Sequence, residues 1–326
     1  RKESSAASDV YKRQEQGSVR SAAQALGISA AAVSRAIIEL EDEVKTPLIE
    51  RQSQGTSLTE AGRTLLMHAK LMRSQMEKAE DEMRAVREGR TTRLTIGVTP
   101  WFSLSLMPMV VTEFLRLRQD VKIEIQEILG TGYASLRDGT LDLAIGLGPR
   151  QPLPDLDVVP LFSYASTIVC RNDHPLAQAR TIAELQGQSW TLSRDAYEFE
   201  SPYDELFGQS QPGKAAPRVH VIRSALLSMT MVEMTDMLSV TPWPLLESPW
   251  LRGRIQPINL AVPLADRQTA LITRRNNLPT PTSRQFIDCL VRTIGRARQA
   301  EDGVLKRIFR TIDLHDNLDR MIQDRA

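Results

Sequence analysis

Two sets of side chains in this sequence have the type and spacing to hold an anion, and none has the arrangement needed to break a bond. The first set is Ser18, Ser29, Ala30, Ala31, Ser34 and Arg35, joined further on by Arg51. Hydroxyls and guanidinium groups bond phosphate oxygens, and small alanines between them let a polymer backbone approach. The second set is Thr99, Ser103 and Thr131 with Arg223, hydroxyl donors and one cation suited to a small carboxylate or sulfonate. Trp101 lies among them, where its ring can rest against a flat aromatic body; on the plainer reading it is a core side chain and its neighbours only cap a helix.

Bond-making chemistry is not visible. Gly146-Leu147-Gly148 follows a strand-like run but meets Pro149 with no helix behind it, so it is no dinucleotide fingerprint. Cys170 and His174 stand four apart with no third ligand nearby, which favours a structural turn, and His68 reads as a surface group. No serine, cysteine or carboxylate pair has a base partner, so no catalytic residue, no metal and no cofactor is assigned.

The first set must be positioned by residues 17–63. Ser18 caps a helix with Val19, Ala22, Ala23 and Leu26 on its inner face; Gly27 stops it, and Ser29 caps a second helix from Ala30 to about Glu43. That second helix buries Val33, Ile37 and Leu40 and turns Ala30, Ala31, Ser34 and Arg35 outward near its start. Helix, glycine turn, helix is the plan of a reader that places the second helix in the DNA major groove, where Arg35 meets a phosphate or a guanine edge. An extended piece at Pro47 to Arg51 and a polar loop from Gln52 to Ser57 make a wing, after which Thr59 caps a long helix.

That helix carries Leu65, Ala69, Met72, Met76, Ala79, Met83 and Val86 in steps of four and three, the repeat of a narrow seam buried against a partner helix. Charged residues fill the flanks, so pairing between two chains is favoured over a long helix lying on its own domain. Beyond a hinge at Gly89 to Thr92 the texture alternates between strand and helix. Strands are expected at 94–98, 121–125 and 141–145, with helices at 104–117 and 133–138 between them, which implies a parallel sheet covered on both faces. Strands at 156–161 and 165–170 lead into a second lobe, and a strand at 269–273 with a helix at 283–294 returns to the first. Ligands of open parallel sheets bind beyond the carboxyl ends of the strands, where Thr99 to Ser103 and Gly130 to Gly132 lie. Asp195 to Pro202, with Tyr197 and Phe199, and Arg223 before a helix at 225–234 would complete that cleft.

With 326 residues the chain has room for two or three domains, and 41% hydrophobic residues supply ordinary cores. A net charge of +1 gives no global sign of a polyanionic partner. Basic Arg20, Arg35, Lys45, Arg51 and Arg63 face acidic Glu39, Glu41, Asp42, Glu43, Glu50 and Glu60, so affinity per module is expected to be modest and two modules to be needed. Two cysteines, Cys170 and Cys289, suit a reducing cytoplasm. No apolar run approaches the ~18 residues of a membrane span, and the opening residues lack a signal-type apolar segment.

By these residues the chain resembles the LysR-type transcriptional regulators. The resemblance rests on Gly17-Ser18, Ala22-Ala23, Leu26-Gly27-Ile28-Ser29, Ala32-Val33-Ser34-Arg35, Ile37, Leu40-Glu41, Pro47 to Arg51 and Leu58 to Gly62, and continues to about residue 297. It implies an α/β protein with a winged helix-turn-helix at 1–57, a dimerising linker helix at 58–88 and a two-lobed, periplasmic-binding-protein-like effector domain at 89–297. Lobe I takes 93–164 and 267–297, lobe II takes 165–266, and a tail occupies 298–326. The implied partners are double-stranded DNA with a two-fold operator, a small effector, a second copy in a dimer that pairs into a tetramer, and RNA polymerase. Effector contacts in the family fall at the positions of Thr99, Ser103 and Thr131.

Three departures stand out. Where the family opens with a helix of spaced Leu, Phe and Val, this chain has Ala7, Val10 and Arg13 and no initial Met, so residues 1–14 look foreign. Ala30 and Ala31 replace a common Gln or Pro after the capping serine. Thr235 and Met237 occupy the places of two glycines in the second lobe. The rival reading is a two-lobed solute-binding protein of transport type, without a DNA-binding role. In the tail, Val304, Leu305, Ile308, Phe309 and Ile312 form a stripe at helical spacing that docks either on its own body or on a neighbour.

Overall fold

A computed structural model describes residues 23–24, 27–52, 55–88, 92–128, 133–149, 151–192, 217–262, 264–275 and 280–323. They divide into two compact units, Arg1–Thr91 with Ala134–Leu141, and Thr92–Tyr133 with Asp142–Ala326.

In the first unit residues 23–24 are helical, Gly27 takes φ +66, and α1 runs Ala30–Val44. Val33 is buried; Ile37 and Leu40 are half-buried. The Glu41 carboxylate accepts the amides of Leu48 at 2.7 Å and Ile49 at 3.0 Å, which fixes the chain leaving α1. An acid that weighs against phosphate binding in a charge count is thus spent on a turn. Strands β1 (Ile49–Gln52) and β2 (Gly55–Leu58) pair antiparallel as the expected wing, with Arg51 opposite Thr56. Helix α2 follows at Glu60–Glu88. Thr59 caps it as expected, its hydroxyl donating to Pro47 O at 2.8 Å and accepting from Gly62 N at 3.0 Å. Gly62 is required there, because a β-carbon would overlap the carbonyl of Leu48.

Residues 70, 74 and 78 lie on the side of α2 opposite its methionines, by the helical repeat. This side binds the unit's own chain: Ser74 Oγ donates to Gly139 O at 2.6 Å and Lys70 pairs with Asp138 at 3.6 Å. Gly139 sits at φ +80 with no room for a β-carbon beside Ser74.

The second unit has two lobes. Lobe I contains β3 (Thr92–Val98), α3 (Pro100–Ser105), α4 (Met107–Leu117), β4 (Val121–Glu127), α5 (Tyr133–Arg137, which passes into the first unit), β5 (Leu143–Leu147) and β6 (Leu156–Tyr164). The expected helix 104–117 is in fact two helices starting at Pro100, because Pro108 has no amide to continue the ladder. The third strand lies two residues later than expected, since Asp142 bonds back to Thr95 through both its amide (2.9 Å) and its carboxylate (2.8 Å) before the strand begins.

Lobe II contains β7 (Ser166–Arg171), a 3₁₀ turn at Ile182–Leu185, β8 (Ser189–Leu192), β9 (Arg218–Val221), α6 (Ala225–Met234), β10 (Ser239–Pro242), α7 (Trp243–Leu246) and β11 (Ile255–Ile258). The chain then returns through β12 (Arg267–Arg274) and α8 (Pro281–Gln299), and ends in α9 (Gly303–Phe309), β13 (Ile312–Leu314) and α10 (Asp316–Gln323).

The large sheet has the order β13-β6-β12-β5-β3-β4, and only β4, β3 and β5 are parallel. The three strands expected to run parallel do so, and antiparallel strands extend that sheet: β6 carries the chain out of lobe I and β12 brings it back, and both run against their neighbours. Smaller sheets β10-β7-β11 and β8-β9 build lobe II. The tail docks on its own body. Ile312, read as part of a helical stripe, begins a strand instead, because the helix stops at Phe309.

Candidate functional site

At the start of α1 the Ser29 hydroxyl accepts the amide of Ala32 at 3.1 Å, satisfying one of the free donors of the first turn. Ala30, Ala31 and Arg35 are exposed and Ser34 is half-buried, so the outward face read from the sequence is present. No acid occupies the first turn, and the helix dipole there is left open to an anion. Arg51 is placed on the wing by its backbone; Ser18 lies outside the described residues. Arg63 has one guanidinium nitrogen bound to Leu58 O at 2.7 Å, a contact within the unit.

Along α2, Met72, Met76 and Met83 are 66%, 65% and 64% exposed. Ala79 is exposed as well, Leu65 and Ala69 are half-buried, and Val86 lies in the last turns of the helix. The inward residue of this helix near its start is Leu66, one step away from the seam.

The second set gathers at the carboxyl end of β3. Thr99 caps α3, yet its hydroxyl makes no cap bond; it is 8% exposed and its oxygen has no hydrogen-bond partner among the described residues. Pro100 contributes no amide, so the open donors of this helix start are the amides of Trp101 and Phe102. Ser103 bonds the Glu127 carboxyl at the end of β4, whose pKa is raised by loss of water and pulled back by that bond. A carboxylate beside the expected anion position is something the residue pattern does not reveal.

Trp101 corrects the expectation of a ring lying against the ligand. It is 1% exposed, its Nε1–H donates to the buried Thr269 hydroxyl at 3.1 Å, and Phe102, Tyr164 and Phe162 surround it at 5.4, 5.5 and 5.8 Å between centroids. The plainer of the two readings holds: Trp101 anchors α3 to β12. Arg223 is exposed at the start of α6, where Ser224 caps the helix by accepting Leu227 N at 3.3 Å. Thr131, Tyr197 and Phe199 lie outside the described residues. Where the resemblance has two glycines, Thr235 closes the end of α6 through its hydroxyl, donating to Met231 O at 2.6 Å and accepting from Met237 N at 3.1 Å.

The weaker candidates have structural roles. His174 is buried; its Nδ1 accepts Leu176 N at 3.0 Å and its Nε2 lies 3.2 Å from Asp236 O. Burial pushes the Cys170 thiol up to about 11 and raises that of Cys289, which keeps both as unreactive thiols. Among the described residues no cluster of three His, Cys, Asp or Glu is placed to hold a metal, and no helix is long and apolar enough to cross a membrane.

Comparison with known proteins places both halves. Residues 12–63 match the bacterial regulatory helix-turn-helix proteins of the lysR family, and residues 87–295 match the LysR substrate binding domain. Among curated relatives, the HTH-type transcriptional regulator TdcA of Escherichia coli is 27% identical over 229 residues, covering 69% of this chain and 72% of TdcA. The Hca operon transcriptional activator HcaR of Escherichia coli is 32% identical over 220 residues, covering 65% of this chain and 72% of HcaR. Among solved structures, CbnR, a LysR family transcriptional regulator, aligns over 88% of this chain and 98% of its own with a TM-score of 0.58 at 18% identity. Full-length CbnR in complex with its target DNA aligns over the same shares with a TM-score of 0.56 at 19% identity.

Proposed function

We propose a function from one premise: the chain belongs to the LysR family of bacterial transcriptional regulators. It is a DNA-binding regulator with an effector-binding domain, in a family of regulators rather than enzymes. The finer reading is ours. Two copies pair along the methionine side of α2 and set two readers at a fixed separation on a two-fold operator in the cytoplasm. The single observation that carries this reading is the bare start of α1, with Ala30, Ala31 and Arg35 exposed and no acid in the turn. The test is titration of a duplex selected from a random pool. Arg35→Ala should weaken binding by about 1–3 kcal/mol, and unchanged affinity at moderate salt would remove Arg35 from the interface.

The seam has its own support. One side of α2 is held by Gly139 and Asp138 while the other presents three bare methionines. Met76→Lys should shift the sedimenting species toward monomer; a variant sedimenting as wild type would leave the seam without a role. Association of dimers into a tetramer fits the outer edge of β4, where Ile125 is exposed.

The effector is a small carboxylate or sulfonate held by the Thr99 hydroxyl and the open amides of α3, with Thr131 and Arg223 completing the site. Glu127 refines the class: beside the acid group the ligand carries a hydrogen-bond donor that the carboxyl accepts. Aromatic members stay in the screen, although Trp101 offers them no ring face. Binding favours one closure of the lobes through differential affinity. That closure alters how the effector domains of the associated copies pack. From there the pliable methionine seam passes the change to the spacing of the readers and the bend of the DNA. Thermal-shift screening of benzoates and sulfonates, with and without a neighbouring hydroxyl or amine, reads the ligand class directly.

A further inference from the structure

The lobes of the second unit are joined at two crossings. The chain leaves lobe I at Tyr164, the end of β6, and enters β7 at Ser166; it comes back from Ile258, the end of β11, to Arg267, the start of β12. Any change of lobe closure must bend these two connections. The family match ends at residue 295, and the chain beyond that residue folds back onto both connections.

Strand β13 pairs with the last residues of β6, Ile312 against Tyr164, Asp313 against Ser163 and Leu314 against Phe162. The amide of His315 extends the pairing to Leu161 O at 3.0 Å. The ring of His315 reaches both crossings: its Nε2 lies 3.1 Å from Ser163 Oγ on β6 and 2.9 Å from the Gln268 side-chain amide on β12. Helix α9 ends just before β13. Its Leu305 and Ile308 are buried in the same core as Leu245 and Leu246 of α7, and Arg307 Nε lies 3.4 Å from Glu247. Helix α7 follows β10 of lobe II directly, and its Trp243 amide donates to Ala165 O at 3.0 Å, inside the first crossing. The joint between α9 and β13 is itself tied, with Thr311 donating from amide and hydroxyl to Ile308 O at 2.9 and 2.7 Å.

One short segment thus holds the outgoing strand, the returning strand and the helix at the base of lobe II. We infer that residues 303–315 are a strap across the hinge of the effector domain, restraining lobe motion at the two crossings. A chain with this strap carries a resistance to opening that the family-matched part lacks. Moving the crossings means lengthening the β13 pairing or breaking the His315 contacts, and local opening is set by such contacts.

Backbone amide hydrogen exchange on the full chain tests this. Arg307 and His315 are half-buried, so Arg307→Ala with His315→Ala removes both grips without opening a cavity in the core. Exchange at 164–167 and 258–268 should speed up about tenfold for the two lost contacts, while the buried strands β3 and β5 change less than about twofold. Lys306→Ala, an exposed neighbour on α9, should exchange as wild type throughout. The inference is overturned if the crossings keep their wild-type rates, or if the double variant accelerates β3 and β5 as much as the crossings, which would mark the tail as general ballast.

Discussion

Two helix starts in this protein share a backbone and use their hydroxyls differently. Ser29 before α1 has φ −73 and ψ 149, and Thr99 before α3 has φ −70 and ψ 147. Ser29 closes its own helix; the buried Thr99 hydroxyl has no partner among the described residues. An unmade bond of a buried hydroxyl costs about 1–3 kcal/mol, and a missed cap adds about 1 kcal/mol. The first start, by contrast, is complete and offers its neighbours, not its cap, to a partner. The same local signal, a hydroxyl before a helix, therefore closes the helix in one unit and, among the described residues, leaves its bond unmade in the other.

The comparison can be broken at several points. The largest effect falls on the support of the second start: Trp101→Ala removes the ring that ties α3 to Thr269 and should cost about 3–5 kcal/mol in urea unfolding. A loss under about 1 kcal/mol would mean the ring is not the anchor. At the first start, Ser29→Ala should cost about 1 kcal/mol of stability and weaken DNA binding only as far as α1 frays. A collapse of binding with no loss of stability would show Ser29 touching the DNA rather than capping. The smallest stability effect belongs to Thr99→Val, within about 0.5 kcal/mol of wild type or slightly stabilising, since no bond is lost. The same variant should lose the thermal shift given by an acid from the screen; a retained shift would close the case for Thr99.

Much of this was legible in the residue order. The second helix of the reader, the wing and the Thr59 cap stand where periodicity and capping residues put them, because each is decided within about fifteen residues by local bonds. The bare methionines of α2 were legible for a related reason: a seven-residue repeat with charged flanks suits a narrow seam better than a domain interior. Trp101 was not legible. Its position at a strand end fits both a ligand wall and a core anchor, and only the arrival of Thr269, 168 residues later, settles the matter. Glu41 misled for the opposite reason, since a charge count cannot see two amides waiting at Leu48 and Ile49.

By itself, then, the sequence determined the family, the order of the parts and which faces of α1 and α2 stay open, all of which arise from short-range pattern. Only the tertiary structure decided which ring anchors α3, which strands of the large sheet run against the others, and where the tail goes. Those depend on contacts between residues more than a hundred apart, such as Ser163 with His315, and no periodicity records them.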